Sequence, residues 1–201
     1  MTVATKILRR IGCYFSRIRS EWYPRRFLWL ENGRHKQLVV GKQVRFNVPV
    51  RGEGEGTLII GNRNSFGFLP SIRLGTGEIL LQARDPNATI TIGEANAFSN
   101  NVSLVANGQI SIGDRCAIGD LVTIYDCDFH EVTPQTRGSS PGPIRPVSIG
   151  NHVWLGSRVM ILKGVTIGDN SVVAAMSVVT KSIPANCVAG GNPAKIIRAI
   201  E

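Results

Sequence analysis

Val147-Ser-Ile-Gly-Asn-His152, Val153-Trp-Leu-Gly-Ser-Arg158, Val159-Met-Ile-Leu-Lys-Gly164, Val165-Thr-Ile-Gly-Asp-Asn170, Ser171-Val-Val-Ala-Ala-Met176 and Ser177-Val-Val-Thr-Lys-Ser182 are six successive hexads, each with an aliphatic third residue. A period of six matches neither the helical repeat of about 3.6 nor the alternation of a long strand, but it does match a short strand plus a turn. If three hexads complete a coil, residues eighteen apart lie over one another: Ile149 over Ile167, Leu155 over Val173, Ile161 over Val179. Stacked coils bury an aliphatic column that one coil could not bury alone. Gly, Asp, Asn and Ser between the strands suit the turns, because glycine and asparagine tolerate positive φ.

The same beat runs outward through Ile92, Phe98 and Leu104 and through Ile112, Ile118 and Ile124. It weakens at Ile60, Phe66 and Ile72 and at Val40 and Phe46. The reading is therefore an all-β chain folded as a parallel β-helix. Two departures interrupt it: two extra residues between Val105 and Gln109, and a long break over residues 125–146. Repeat proteins gather insertions on one face, often the binding face.

The long break carries His130 among Asp126, Asp128 and Glu131, followed by a Pro/Gly-rich arm that cannot extend the coil and is expected to project. A neutral imidazole takes a proton near neutral pH, and a nearby carboxylate would fix its tautomer. On the loop alone, His130 is a general base, a polar loop residue or a metal ligand. No second histidine stands at ligand spacing, so no metal site is expected. His35 and His152 have no companion motif and read as structural or surface residues.

The 201 residues suit one main domain, and 22 glycines against 6% aromatics favour a turn-rich fold with aliphatic filling. The net charge of +9 implies an anionic partner. Much of it lies before residue 40, where nine Lys and Arg face only Glu21 and Glu31. Cys13, Cys116, Cys127 and Cys187 form no paired pattern and read as free thiols of a reducing cytoplasm. Neither a signal peptide nor a membrane-spanning run is expected. Nucleic acid is disfavoured, since the arginines cluster on one terminal segment without a recognised binding fold.

The stretches Asn151-His-Val-Trp-Leu-Gly-Ser-Arg158, Gly164-Val-Thr-Ile-Gly-Asp-Asn-Ser171, Val178-Val-Thr-Lys-Ser-Ile-Pro184 and Gly191-Asn-Pro-Ala-Lys-Ile-Ile-Arg198 resemble the hexapeptide-repeat acyltransferases, a family including galactoside, maltose, xenobiotic and polysaccharide O-acetyltransferases. The resemblance implies a left-handed coil, a hand that periodicity does not supply. It also implies a homotrimer with sites between subunits, and acetyl-CoA as co-substrate with no permanently bound cofactor. Carried over position by position, His130 is the base and the Ser157 backbone N–H faces the thioester oxygen. Trp154 and Ser157 line the acyl tunnel, Ala175 and Thr180 meet the pantetheine arm, and Lys181, Lys195 and Arg198 surround the coenzyme phosphates. On the acceptor side, Ser99 and Asn107 stand where galactoside acetyltransferases hold the sugar with an Asn and an Asp. Asn100, Asn101, Asp128 and Arg137 complete the acceptor set.

The expected function is acetyl transfer to a sugar hydroxyl in surface polysaccharide or lipopolysaccharide synthesis. The alternatives are N-acetylation of an amino-sugar nucleotide and a noncatalytic β-helix scaffold. The expected organisation is a basic helical segment over 1–36, a β-helix over 37–190 with loop 125–146 projecting, and a coenzyme-contacting tail over 191–201. Ile7, Ile11, Tyr14 or Phe15, Ile18 and Trp22 fall on a helical stripe interleaved with arginines. Two readings suit it: a cap on the open coil, or peripheral contact with the inner face of the cytoplasmic membrane.

Overall fold

The computed structural model describes residues 35–72, 74–139 and 141–201; the N-terminal helical stripe lies outside them. The described chain is a left-handed parallel β-helix of six coils, each with three short strands. The first coil holds β1 (Gln37–Val40), β2 (Arg45–Phe46) and β3 (Val50–Glu53), and the second holds β4 (Thr57–Ile60), β5 (Ser65–Phe66) and β6 (Ile79–Ala83). The third contains β7 (Thr89–Ile92), β8 (Ala97–Phe98) and β9 (Ser103–Ala106), the fourth β10 (Gln109–Ile112), β11 (Ala117–Ile118) and β12 (Thr123–Tyr125). The fifth contains β13 (Val147–Ile149), β14 (Trp154–Leu155) and β15 (Met160–Ile161), the sixth β16 (Thr166–Ile167), β17 (Val172–Val173) and β18 (Val178–Val179). Then β19 (Cys187–Gly191) extends the second face, and β20 (Ala194–Ala199) turns back antiparallel on it.

The register is the one the hexads imply. Ile149 pairs with Ile167, Leu155 with Val173 and Ile161 with Val179. Each face contributes an inward column at the third place of its hexads, with a second buried residue two places earlier. On the second face it runs Phe46, Phe66, Phe98, Ile118, Leu155, Val173 and Ala189, all buried, so the filling side chain shrinks toward the C-terminal end. The Phe66 and Phe98 rings stack at 4.7 Å, and Phe46 tilts against Phe66 at 5.2 Å. Full burial of side chains of this size stabilises by about 1.5–3 kcal/mol each, and they supply the core.

Two sequence expectations need correction. Ile72 is not a core residue: it is 53% exposed, because the chain leaves the coil after Phe66 and rejoins it at β6, where Ile79 and Leu81 are buried instead. Nor do the hexad glycines mainly supply positive φ. At the corner between the first and second faces the left-handed residues include Gln43, Arg63, Ala95, Arg115 and His152. The glycine two places earlier answers to coil spacing, since a Cβ on Gly41 would lie 2.5 Å from the Gly61 carbonyl carbon. Asparagines bind the same corner from inside, where buried Asn64 and Asn96 accept the Asn96 and Cys116 N–H groups.

Among the described residues no helix is long and apolar enough to cross a membrane.

Candidate functional site

The projecting loop leaves β12 at Tyr125 and is fastened at its base. Asp126 is fully buried, and its carboxylate accepts the backbone N–H groups of Asn107 and Gly108 at 2.8 and 2.7 Å. The two extra residues after Val105 thus form a turn capped by the loop's own base. The Asp126 carbonyl accepts from Arg145 N–H at 2.8 Å, and Cys127 bridges Ile144 antiparallel. Asp128 pairs with Lys163 of the coil below. Gly142 returns so close over the outgoing segment that a Cβ there would lie 2.7 Å from Asp128 Cβ and nearer still to the His130 carbonyl oxygen.

His130 is exposed, and its Nδ1 lies 3.0 Å from the carbonyl oxygen of Arg137. A carbonyl only accepts, so Nδ1 donates, and in the neutral imidazole Nε2 carries the lone pair. This corrects the expected orienter: it is a backbone carbonyl of the loop, not a carboxylate. Asp126 is engaged by two N–H groups and Asp128 by Lys163, which leaves the peptide at Arg137 to set the tautomer. The Arg137 guanidinium in turn donates to the Val132 carbonyl at 2.8 Å and closes the turn.

His130 borders an open concavity of about 600 Å³ with Gln82, Arg84, Val105, Tyr125, Asp128 and Phe129. Phe129 is held at a φ of 64°, a left-handed conformation that costs a bulky residue about 1–3 kcal/mol. Its ring meets Tyr125 edge-on at 5.1 Å and carries the Arg84 guanidinium 5.1 Å above its centroid. Sequence reasoning missed Arg84, Phe129 and Lys163 as site residues. Coil register points to Arg84: its near neighbour Gln82 pairs with Val105, which pairs with Tyr125.

The residues expected on the donor side are spread over the second face, two corners and β20. Trp154 is 58% exposed on the second face. Ser157 follows β14 at the corner between the second and third faces, and Ala175 occupies the same corner one coil below. The Ser157 hydroxyl donates to Asp120 at 2.9 Å, while its backbone N–H has no acceptor among the described residues. Thr180 and Lys181 follow β18 at the corner between the third and first faces, the corner from which the His130 loop projects. Lys195 and Arg198 lie exposed on β20.

The acceptor candidates divide in the same way. Asn107, Asp128 and Arg137 gather at the loop. Ser99 lines a separate concavity of about 190 Å³ with Trp154, Phe68, Ala97 and Ala117. Asn100 is fully buried, accepting from Phe68 N–H and donating to the Phe68 and Ile72 carbonyls. Asn101 donates to Ile72 as well. Both asparagines hold the segment that leaves the coil after β5. Within one chain, His130 and Ser157 stand at different corners of the prism.

Residues 146–181 match the family model described as Bacterial transferase hexapeptide (six repeats). The chain is 44% identical over 114 residues to the galactoside O-acetyltransferase of Escherichia coli (strain K12), covering 56% of this chain and 55% of that protein. A solved galactoside acetyltransferase in complex with coenzyme A is 43% identical with a TM-score of 0.54, over 56% of each chain. The structure of the polysialic acid O-acetyltransferase OatWY superposes more widely, with a TM-score of 0.64 and 26% identity over 84% of this chain and 82% of that one. The chain spans about half the length of the curated relatives it matches. By its register, its matched repeats and these likenesses, the chain carries hexapeptide repeats and is similar to acetyltransferases that carry them.

Proposed function

We propose that the protein is an acetyl-CoA-dependent O-acetyltransferase acting on a saccharide hydroxyl, with His130 as general base. The observation that carries this reading is the Nδ1 contact to the Arg137 carbonyl, which in the neutral imidazole frees Nε2 to accept a proton, with His130 at the edge of an open concavity. Nε2 takes the proton of the acceptor hydroxyl as its oxygen attacks the thioester carbon. The Ser157 N–H stabilises the oxyanion that forms; such a donor is worth roughly 3–4 kcal/mol in the transition state. Collapse breaks the C–S bond, and the imidazolium returns its proton to the departing thiolate. No acyl-enzyme is needed.

Separate corners for His130 and Ser157 favour a homotrimer, in which the loop of one subunit reaches the Ser157 corner of the next. Trp154, Ala175 and Thr180 would then border the acyl and pantetheine path, with Lys181, Lys195 and Arg198 offering charge to the phosphates. The relatives named galactoside and polysialic acid O-acetyltransferases support a sugar acceptor. Surface-polysaccharide synthesis in the cytoplasm, a basic segment over 1–36 that caps the coil or touches the membrane, and a donor-contacting tail over 191–201 complete the proposal.

Thiol release from acetyl-CoA, measured against a panel of saccharides, tests it. His130→Ala should leave acetyl-CoA binding within about twofold and lower turnover on the order of a hundred- to ten-thousandfold. Undiminished turnover would remove His130 from the mechanism.

A further inference from the structure

We infer that the acceptor carries an anionic group, a carboxylate or phosphate, and that Arg84 reads it beside His130. The inference rests on the proposed transferase reading and names its substrate class. Arg84 borders the same concavity as His130, so a saccharide placing a hydroxyl at Nε2 also presents its neighbouring substituents to the guanidinium. Among the described residues Arg84 makes no ion pair.

The nearby carboxylates are engaged elsewhere. Asp128 is paired with Lys163, Asp126 holds two backbone N–H groups, Asp85 accepts from Asn87 N–H at 2.9 Å, and Glu53 holds Arg51 and Gln82. Among the described residues, Lys163 therefore offsets the one other charge lining the concavity, that of Asp128. The guanidinium is also positioned, because it lies over the Phe129 ring, which Tyr125 supports from its edge. A stacked, uncompensated guanidinium presents a planar fork of donors suited to a carboxylate or phosphate, whereas a neutral sugar has no use for its charge.

Equilibrium binding reads this independently of transfer. Wild type, Arg84→Met and Arg84→Lys would be titrated with matched neutral, uronate and phosphorylated saccharides in the presence of coenzyme A, followed by steady-state thiol release. Wild type should bind an acidic acceptor on the order of tenfold more tightly than its neutral counterpart. Arg84→Met should bring the two within about twofold, Arg84→Lys should keep part of the preference, and raised salt should shrink it. The KM for acetyl-CoA should not move. The uronate and phosphate arms identify which anion is read.

Equal binding of neutral and acidic saccharides by wild type, no binding of any acidic one, or a preference that survives Arg84→Met would overturn the inference. A raised acetyl-CoA KM in Arg84→Met would assign the arginine to the donor phosphates instead and equally overturn it. Thiol release without an acidic preference defeats only this inference. An Arg84-dependent preference without thiol release from any acceptor defeats the transferase reading and leaves the anion site standing.

Discussion

Gly142→Ala isolates the placement of His130 from its chemistry. An alanine Cβ at 142 would stand 2.7 Å from Asp128 Cβ and nearer still to the His130 carbonyl oxygen, whereas an ordinary contact begins at 3.4 Å. The shortfall at Asp128 is about 0.7 Å, and neither obstacle is the far end of a flexible side chain. The loop must therefore move, since its base is held by Asp126 and by the Cys127–Ile144 bridge. A displacement near 1 Å at a reacting group costs up to about a hundredfold in rate. We expect kcat to fall roughly ten- to a hundredfold by that relation, with the KM for acetyl-CoA within about twofold. Thermal unfolding should change little, because no core column is touched. Gly138→Ala is the matched control: it lies in the same loop, but a Cβ there meets nothing within 4 Å, so activity should be retained. Wild-type kcat in Gly142→Ala, or an equal loss in Gly138→Ala, would refute the reasoning.

Phe66→Ala removes the middle ring of the Phe46–Phe66–Phe98 column and should cost about 3–5 kcal/mol in urea unfolding; a loss under about 1 kcal/mol would contradict the packed column. Burial pushes the Cys116 thiol up to about 11 from the ordinary 9.0, and burial also pushes the Cys127 thiol up, so both stay protonated near pH 8. Iodoacetamide, followed by peptide mass mapping, should label the less buried Cys187 first and Cys116 only as pH climbs from about 9 toward 11. The same shift sets a sign for stability: the unfolded chain ionises first, so the contribution of Cys116 is intact below about pH 9 and declines toward pH 11. Rapid labelling of Cys116 at pH 8 would contradict its burial.

Much of the architecture was legible from 147–182 because each hexad repeats the same requirement: an inward aliphatic residue at its third place, with a second buried residue at its first. Burial is a local demand repeated in chain order, so it writes itself into the sequence as a period. The interruption at 125–146 was legible for the same reason, as the place where the period stops. The hand of the coil was not, because either hand places the same residues inward. The failure at Ile72 has a related cause: an apolar residue in phase with the beat is indistinguishable from a core residue until the chain is seen to leave the coil, held there by Asn100 and Asn101.

His130 was selected from sequence as the one histidine in that interruption, yet its orienter was expected among the neighbouring acids. Which partner wins depends on how the loop folds back, and the carbonyl of Arg137, seven residues away, holds Nδ1. Backbone acceptors carry no residue identity, so no sequence pattern announces them. Arg84 escaped notice for a different reason: it lies two coils from the loop and meets Phe129 only through stacking of the third face. Sequence by itself determined the coil and most of its inward positions, and it marked the loop that carries His130. Only the tertiary structure decided what points at that histidine, because the repeat sets contacts eighteen residues apart while the site is built where the repeat is broken.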